Sequence, residues 1–260
     1  MQAQLQGEVG EYEGRAMRLV IFGTGRVGTS IAHYARHLGL GVDAIDRRTA
    51  EESRQSVLAL IAEADVVAAA IPDDFLAGWF AEWRPDIEDL PAIHFSGARI
   101  IEGMRGYHPL YSFPKTPLAP AVMAEIAIAR ETGAPPFSTI FKGARNPEFE
   151  IRPEDRAFYH ALAVLSGNFA AHLWNETAKA MAARLRIAPE AAMGAYIAGV
   201  VDRFRESPFD SLTGPVARKD AATVRANLAA LEAEPALLAL YQAFLKSAWP
   251  GFETDGGAGA

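Results

Sequence analysis

The stretch from Met17 to Gly28 reads Met-Arg-Leu-Val-Ile-Phe-Gly-Thr-Gly-Arg-Val-Gly and joins a short apolar run to the pattern G-x-G-x-x-G. This pattern, placed after a buried strand and before a helix, is typical of a turn that binds a dinucleotide. Gly23 permits the turn off the strand, Gly25 lets backbone N–H groups approach a pyrophosphate, and Gly28 lets the helix pack close to the strand. We predict that a diphosphate binds at this helix N-terminus, against Gly23, Thr24, Gly25, Arg26, Val27 and Gly28. The alternative is a glycine turn that only connects two core elements.

The composition excludes several classes of protein. The chain has 260 residues, half of them hydrophobic, which is enough for one large domain or two small ones. Its formal net charge of −7, without long basic runs, disfavours a nucleic-acid partner. The absence of cysteine excludes disulfides and thiolate metal sites and fits a reducing compartment. Since no apolar stretch approaches the length of a membrane span, we expect a soluble, cytoplasmic protein without a membrane partner.

Apolar runs alternate with helical patterns through the first half of the chain. After the first strand and helix, strands are predicted at Leu40–Ile45, Asp65–Ile71, Ala92–Phe95 and Thr139–Lys142, with a helix near Ala50–Ala62. Continuous apolar runs separated by helices indicate a parallel sheet that is covered on both faces. The predicted fold class is therefore α/β, a Rossmann doubly wound parallel sheet followed by an all-α C-terminal domain.

Two apolar stripes predict long helices in the second half of the chain. The first stripe lies at helical spacing from Phe158 to Leu173, and the second contains Tyr196, Val200 and Phe204. Such stripes are typical of helix faces that pack against a core. Asp220 is a favourable N-cap residue for another helix in this part of the chain.

The residues after the second predicted strand indicate which dinucleotide binds. Asp46 can accept hydrogen bonds from the two ribose hydroxyls of NAD, whereas Arg47 and Arg48 can pair with the 2′-phosphate of NADP. Two adjacent arginines are hard to explain without a phosphate, so the cofactor is predicted to be NADP, with NAD as the alternative. The alternative to a cofactor site is a solvated polar loop in which Asp46 only caps a helix.

The ends of the next two strands supply further candidate residues. Ile71 and Pro72 are predicted to line the cofactor, because ligands of open α/β sheets bind at the carboxyl ends of the strands. Ser96 and Gly97 follow the next strand, where Ser96 can hold the nicotinamide amide or a substrate oxygen; a simple turn explains the pair equally well. His108 is a candidate acid or base by residue type. No metal site is predicted, since His33 and His37 lack a glutamate partner motif.

Several segments together resemble a known family. They are His94–Gly97, Tyr107–Leu110, Tyr159-His160, Ser166–Phe169 and the segment Thr213-Gly-Pro-Val-Ala-Arg-Lys-Asp220. With the glycine pattern, they make the chain similar, over residues 17–249, to Rossmann-like oxidoreductases with a helical C-terminal domain of unknown function. More distantly, the chain resembles the 6-phosphogluconate dehydrogenase-like superfamily, which includes ketopantoate reductase.

Composition and periodicity divide the chain into four parts, and the resemblance implies an active site in the cleft between two domains. Residues 1–16 are expected to form a flexible N-terminal extension and residues 253–260 a flexible tail. Residues 17–150 are expected to form an NAD(P)-binding Rossmann domain, and residues 151–252 a helical domain that binds substrate and forms a homodimer.

The resemblance also assigns roles to residues of the helical part. Asn168 stands where superfamily members bind substrate, but Val164 stands where they often carry a catalytic lysine. Since valine cannot transfer a proton, the proton donor must come from elsewhere, with His108, Ser96, His160 and Lys219 as candidates. Arg218 and Lys219 can bind an anionic end of a small-molecule substrate; a helix–helix loop is the structural alternative.

These observations predict an NAD(P)-dependent oxidoreductase that transfers hydride to or from a small carbonyl, imine or hydroxy-acid substrate. Asn168, His108 and Ser96 are the predicted catalytic residues. The alternative is a dinucleotide-binding regulatory protein without catalysis, because the superfamily lysine is missing. A Rossmann methyltransferase fits poorly, since the third glycine and the helical C-terminal part point to dinucleotide enzymes.

Overall fold

The structure is a computed structural model that describes residues 15–253, and the chain divides into two compact units after Leu165. The predicted N-terminal extension and C-terminal tail therefore lie almost wholly outside the described residues. Each unit is described by itself below.

The first unit contains a seven-stranded sheet with the order β2-β1-β3-β4-β5-β6-β7. Strands β1 to β5 run parallel, β6 is antiparallel to β5, and β7 is parallel to β6. Strand β1 pairs with β2 on one side and β3 on the other, so it is an interior strand, next to the edge strand β2. The strands are β1 Arg18–Phe22, β2 Gly41–Ile45, β3 Val66–Ala69, β4 Ala92–His94, β5 Arg105–Pro109, β6 Ile128–Glu131 and β7 Glu148–Ile151.

Helices cover both faces of this sheet, because β1 and β3 are apolar at consecutive positions and successive side chains point to opposite faces. Leu19 and Ile21 pack on one face, in a core cluster with Ile31, while Val20 and Phe22 pack on the other, with Leu76 and Trp83 among their neighbours. The α/β fold class with a doubly wound sheet is therefore confirmed. The helices of this unit are α1 Arg26–His37, α2 Arg47–Glu52, α3 Arg54–Ile61, α4 Asp73–Trp83, α5 Pro120–Glu125, α6 Phe137–Ile140 and α7 Arg156–Ala163.

The predicted strand at Thr139–Lys142 is wrong, because this segment contains the end of helix α6. Pro136 precedes the helix with φ −50° and suits entry into a first helical turn. Phe137 and Ile140 then lie three residues apart on one buried face of the helix. The strands of this region are instead β5, β6 and β7. The predicted helix at Ala50–Ala62 is also corrected, since Ser53 separates α2 from α3.

The second unit is helical. Its small core consists of Val216, Val224, Leu228 and Leu245. The second predicted apolar stripe lies on α9, but the side chain of Tyr196 is 71% exposed and that of Phe204 is 55% exposed. These residues therefore do not pack in a core of this unit. The helices are α8 Ala170–Ala180, α9 Pro189–Glu206, α10 Ala221–Ala230 and α11 Pro235–Ala248, with π-helical segments at Val164–Phe169 and Met181–Leu185.

No helix within residues 15–253 has the length and hydropathy that a membrane crossing requires.

Candidate functional site

The turn between β1 and α1 requires glycine at two positions. Gly23 has φ +107°, and a Cβ there would lie 2.3 Å from the carbonyl oxygen of Ala70. A Cβ on Gly28 would lie 1.9 Å from the carbonyl oxygen of Gly23. The backbone N–H of Gly23 donates to the carbonyl of Ile45 at 2.8 Å, which ties the turn to the end of β2. A side chain at Gly23 would therefore push the turn away from the end of β3, and one at Gly28 would push α1 away from the turn.

Gly25 differs, because nothing in the chain lies within 4 Å of its ideal Cβ position. It is the N-cap residue of the twelve-residue helix α1, and no acidic residue occupies the first turn of that helix. Thr24, Gly25 and Arg26 are exposed, whereas Val27 packs partly against the core. The first N–H groups of a helix carry partial positive charge and lack intrahelical partners. This open helix N-terminus can therefore hold an anion.

The end of β2 presents one carboxylate and two guanidinium groups. Asp46 is the N-cap residue of α2 and accepts a hydrogen bond from the backbone N–H of Thr49 at 2.7 Å. That hydrogen bond lowers the pKa of Asp46. Arg47 and Arg48 are exposed, and Arg47 Nε lies 2.7 Å from Glu51 Oε1. Asp46 therefore caps helix α2, as in the alternative that involves no ligand. Both arginines remain at the surface.

An aromatic residue that was not predicted lies beside these arginines. The guanidinium carbon of Arg47 is 5.9 Å from the ring centroid of Phe75, and Phe75 is 57% exposed. Phe75 lies in the first turn of α4, after Pro72, which is exposed, while Ile71 is half-buried beside Gly23. An exposed ring beside a cation can stack on a nucleobase. The sequence signal that could have identified Phe75 is a large apolar residue two positions after the Pro72-Asp73 pair that ends the strand.

A second group of polar side chains lies around the loop after β4. Ser96 accepts hydrogen bonds through Oγ from the backbone N–H of Ala98 and Arg99, at 3.2 and 3.0 Å. A Cβ on Gly97 would lie 2.6 Å from His160 Cδ2 and 2.9 Å from His108 Nε2. The structure therefore brings Ser96, Gly97 and His108 together, as predicted for the carboxyl edge of the sheet. His160, from helix α7, lies on the same side of Gly97, with its ring centroid 6.1 Å from that of His108.

His108 is held by a tyrosine from helix α7. Its Nδ1 lies 2.7 Å from the hydroxyl oxygen of Tyr159, and the two rings meet edge to face. Burial, helped by the positive charge of Arg156 and by His160, lowers the pKa of His108 to about 4. Burial also raises the pKa of Tyr159 to about 12, with Arg156 acting in the opposite direction. At neutral pH the histidine is therefore uncharged and the tyrosine protonated.

Arg156 is the largest buried polar side chain of this group. It is 1% exposed and donates from Nη2 to the carbonyl oxygen of Ser96 at 2.5 Å, while Nε and Nη1 have no hydrogen-bond partner among the described residues. Among the carboxylates, Glu131 acts most strongly on Arg156 and Asp73 less so, and Glu131 Oε2 accepts from the backbone N–H of Gly106 at 2.6 Å. His94 is fully buried, and burial together with Arg156 lowers its pKa to about 4. Sequence patterns do not single out Arg156, because it looks like an ordinary helix-terminal arginine.

Three predicted substrate-binding residues lie in the second unit. Asn168 is exposed in the π-helical segment Val164–Phe169. Lys219 has φ +57°, donates to the carbonyl of Ala248 at 3.3 Å and lies 4.9 Å from the ring centroid of Trp249. Arg218 is exposed. The roles given to Asn168, Arg218 and Lys219 stay predictions.

Within residues 15–253, no group of three or more histidine or carboxylate side chains is arranged to hold a metal ion.

Comparison with known proteins supports the fold. Residues 126–248 match the model of a domain of unknown function, DUF2520. A Bacteroides fragilis protein provisionally assigned as an NADP oxidoreductase has a similar structure, with TM-score 0.69 and 21% identity over 90% of this chain and 98% of that one. A Thermotoga maritima protein whose name states no activity is also similar, with TM-score 0.65 and 23% identity, over 88% of this chain and 95% of that one.

A pyrroline carboxylate reductase from Plasmodium falciparum, solved with NADP bound, is similar at TM-score 0.53 and 13% identity, over 87% of this chain and 98% of that one. No curated protein sequence matches the chain. At these identities the solved structures establish the fold. The match to the domain model covers β6, β7 and most of the helical unit, so it extends across the division at Leu165. The chain therefore has a Rossmann-type fold, and its residues 126–248 are similar to the DUF2520 domain.

Proposed function

We propose that the protein is an NAD(P)-dependent oxidoreductase that transfers hydride to or from a small carbonyl, imine or hydroxy-acid substrate. The observation that carries the proposal is the turn from β1 to α1. Gly23 and Gly28 permit that turn, and Gly25 leaves the N-terminus of α1 open on the side where a diphosphate binds. The names of the similar structures, an NADP oxidoreductase and an NADP-bound reductase, support the same chemistry.

The positions of the polar residues along the sheet edge support a cofactor that extends from the glycine turn towards His108. Strands β1, β3, β4 and β5 are neighbours in that order, so β4 and β5 lie about 10 and 14 Å from β1. A diphosphate on α1 would thus have Ser96 and Gly97, after β4, on one side. On the other side, after β2, lie Asp46 and Arg47. Nicotinamide supplies the hydride, and the protein supplies orientation and a hydrogen-bond donor.

We propose NADP as the preferred cofactor. The Asp46 carboxylate is turned to the N–H of Thr49 and caps α2, whereas Arg47 and Arg48 are exposed at the same strand end. A guanidinium group matches a phosphate in shape and charge, so these arginines suit a ribose 2′-phosphate. Phe75, beside Arg47, suits the adenine ring.

We also propose that the protein forms a homodimer through its helical unit. Among its described residues, this unit buries only four hydrophobic side chains as a core cluster, while Tyr196, Val200 and Phe204 form an exposed row on α9. An exposed apolar row of this kind is typical of an interface. A second copy of the chain is the partner that we expect, because the family that the sequence resembles dimerises through this domain.

A glycine substitution tests the cofactor site. Gly25→Val adds a side chain that meets no protein atom, so the unfolding free energy should stay within about 0.5 kcal/mol of the parent value. NADPH binding, measured by calorimetric titration, should fall by at least about a hundredfold, because the valine occupies the space of the pyrophosphate. Gly78→Val, on helix α4, is the matched control, since its added side chain also meets nothing within 4 Å.

Unchanged NADPH affinity in Gly25→Val would contradict the site. If the parent binds NADPH but oxidises it with no keto acid, ketone or cyclic imine, the protein is a dinucleotide-binding regulator and the reductase proposal fails. Binding of S-adenosylmethionine without a response to NADPH would contradict both.

A further inference from the structure

We propose that the reducible group of the substrate is a carbonyl, and that His108 donates its Nε2–H to the carbonyl oxygen while Tyr159 fixes the histidine tautomer. This inference rests on the proposed oxidoreductase function and narrows its substrate class. It also supplies a proton donor for a chain with Val164 in place of the expected lysine.

A hydrogen bond between His108 and Tyr159 fixes the tautomer of the histidine. Nδ1 of His108 and the hydroxyl oxygen of Tyr159 are 2.7 Å apart. A neutral imidazole has one donor and one acceptor nitrogen, and a tyrosine hydroxyl is the stronger donor of this pair. The hydroxyl therefore donates to Nδ1, and the ring proton is left on Nε2. Tyr159 is itself fixed by its edge-to-face contact with Phe149, at 5.9 Å between ring centroids.

The other ring nitrogen of His108, Nε2, is placed where it can meet a ligand. This atom has no hydrogen-bond partner among the described residues, and it faces the backbone of Gly97 at the carboxyl edge of the sheet. Glycine is required at that position, because a Cβ would lie 2.9 Å from Nε2. A donor without a partner, beside backbone that carries no side chain, can approach a ligand atom closely.

The charges around His108 favour a substrate group that becomes negative during the reaction over one that is positive. The charged or titratable groups that act on His108 are Arg156 and His160 from α7, while His94, Glu131 and Asp73 interact with Arg156. Glu131 is already hydrogen-bonded to the N–H of Gly106. An iminium cation would be repelled by the positive charge of the buried Arg156 guanidinium, which acts on His108. A carbonyl oxygen, which gains negative charge as hydride arrives, is stabilised by the same surroundings.

The reaction balances as follows. A bound reduced nicotinamide would supply the hydride to the carbonyl carbon, and the carbonyl oxygen would take the proton from His108 Nε2 as the C=O π bond breaks. Nδ1 of His108 receives the hydroxyl proton of Tyr159, and Arg156 stabilises the tyrosinate that forms. A solvent proton then returns to Nε2, and the Nδ1 proton returns to Tyr159. One carbonyl, one reduced nicotinamide and one proton give one alcohol and one oxidised nicotinamide.

The tautomer can be measured without a substrate. Nitrogen-15 NMR of the full chain, with His108 assigned through His108→Gln, should show the Nε2–H tautomer from about pH 8 to about pH 5, because the ring stays neutral there. Tyr159→Phe should increase the other tautomer about fivefold, since one hydrogen bond is lost. Tyr107→Phe is the matched control, because it removes a hydroxyl that donates to Pro135 instead. An Nδ1–H tautomer in the parent, or an unchanged ratio in Tyr159→Phe, would overturn the inference.

The substrate class is tested with NADPH and small probes. Glyoxylate and cyclohexanone should be reduced faster than methylpyrroline, and Tyr159→Phe should lower kcat for the carbonyl probes about tenfold while the Kd of NADPH stays unchanged. Faster reduction of the imine would overturn the carbonyl assignment and leave the oxidoreductase proposal standing. Bound NADPH that no probe oxidises would instead overturn the oxidoreductase proposal, and this inference with it.

Discussion

The buried imidazole of His94 predicts a loss of stability in mild acid. His94 is fully buried, its Nε2 has no hydrogen-bond partner among the described residues, and its pKa is lowered to about 4 by burial and by Arg156. In the unfolded chain a histidine has a pKa of about 6.5. Between these two values the unfolded state binds more protons, so the free energy of unfolding is highest above about pH 6.5 and falls as the pH drops towards 4.

The size of the effect follows from the difference between the two pKa values. Each pKa unit corresponds to about 1.4 kcal/mol, so His94 contributes about 3 kcal/mol in total, and about 2 kcal/mol of this is lost between about pH 7 and about pH 5. His94→Asn removes the titrating group and keeps a side-chain acceptor for the N–H of Ser96. The unfolding free energy of the variant should therefore fall about 2 kcal/mol less over this pH interval than that of the parent.

The assay is urea unfolding at both pH values, followed by hydrogen exchange of the β1 and β3 amides, which report the first unit alone. The comparison uses the change with pH, since His94→Asn also alters packing and shifts the absolute stability. His37→Asn, on the exposed side of α1, is the control and should match the parent. If parent and His94→Asn lose equal stability between the two pH values, His94 does not titrate as argued and the reasoning is refuted.

Two further predictions concern the cofactor and the oligomeric state. Arg47→Ala should weaken NADPH binding about tenfold to a hundredfold and leave NADH binding almost unchanged, because one charged contact to the 2′-phosphate is lost. Arg145→Ala, at another exposed arginine, is the control. Equal losses of affinity for both cofactors would argue against an NADP preference. Phe204→Glu on α9 should convert the dimer into a monomer, measured by light scattering, whereas the control Asp202→Ala should leave the dimer intact. A monomeric parent protein would contradict the proposed homodimer.

Much of the first unit could be predicted from sequence because its information is local. The strand, turn and helix around Gly23 and Gly28 depend on contacts within a few residues, together with the neighbouring Ala70. The apolar runs of β1 and β3 are buried on both faces, so their composition alone indicates central strands. Thr139–Lys142 was wrong because β propensity is a weak preference, and the preceding proline with the Phe137–Ile140 spacing favours a helical turn.

The apolar stripes of the helical half show a different kind of limit. Helical spacing predicted α9 correctly as a helix, but its row Tyr196, Val200 and Phe204 is exposed rather than packed. Periodicity identifies an apolar face, and it carries no information about whether that face meets the same chain or another one.

The sequence by itself determined the glycine turn, the alternation of strands and helices, and the pair Arg47-Arg48 after β2, because each depends on neighbours along the chain. Only the tertiary structure decided that Tyr159 and Arg156 meet His108 and Ser96. These contacts join residues about 50 to 60 positions apart in the chain, and they form because β4 and β5 end at one sheet edge against which α7 packs. No local pattern encodes such a meeting, since it results from the pairing of strands and the burial of their faces.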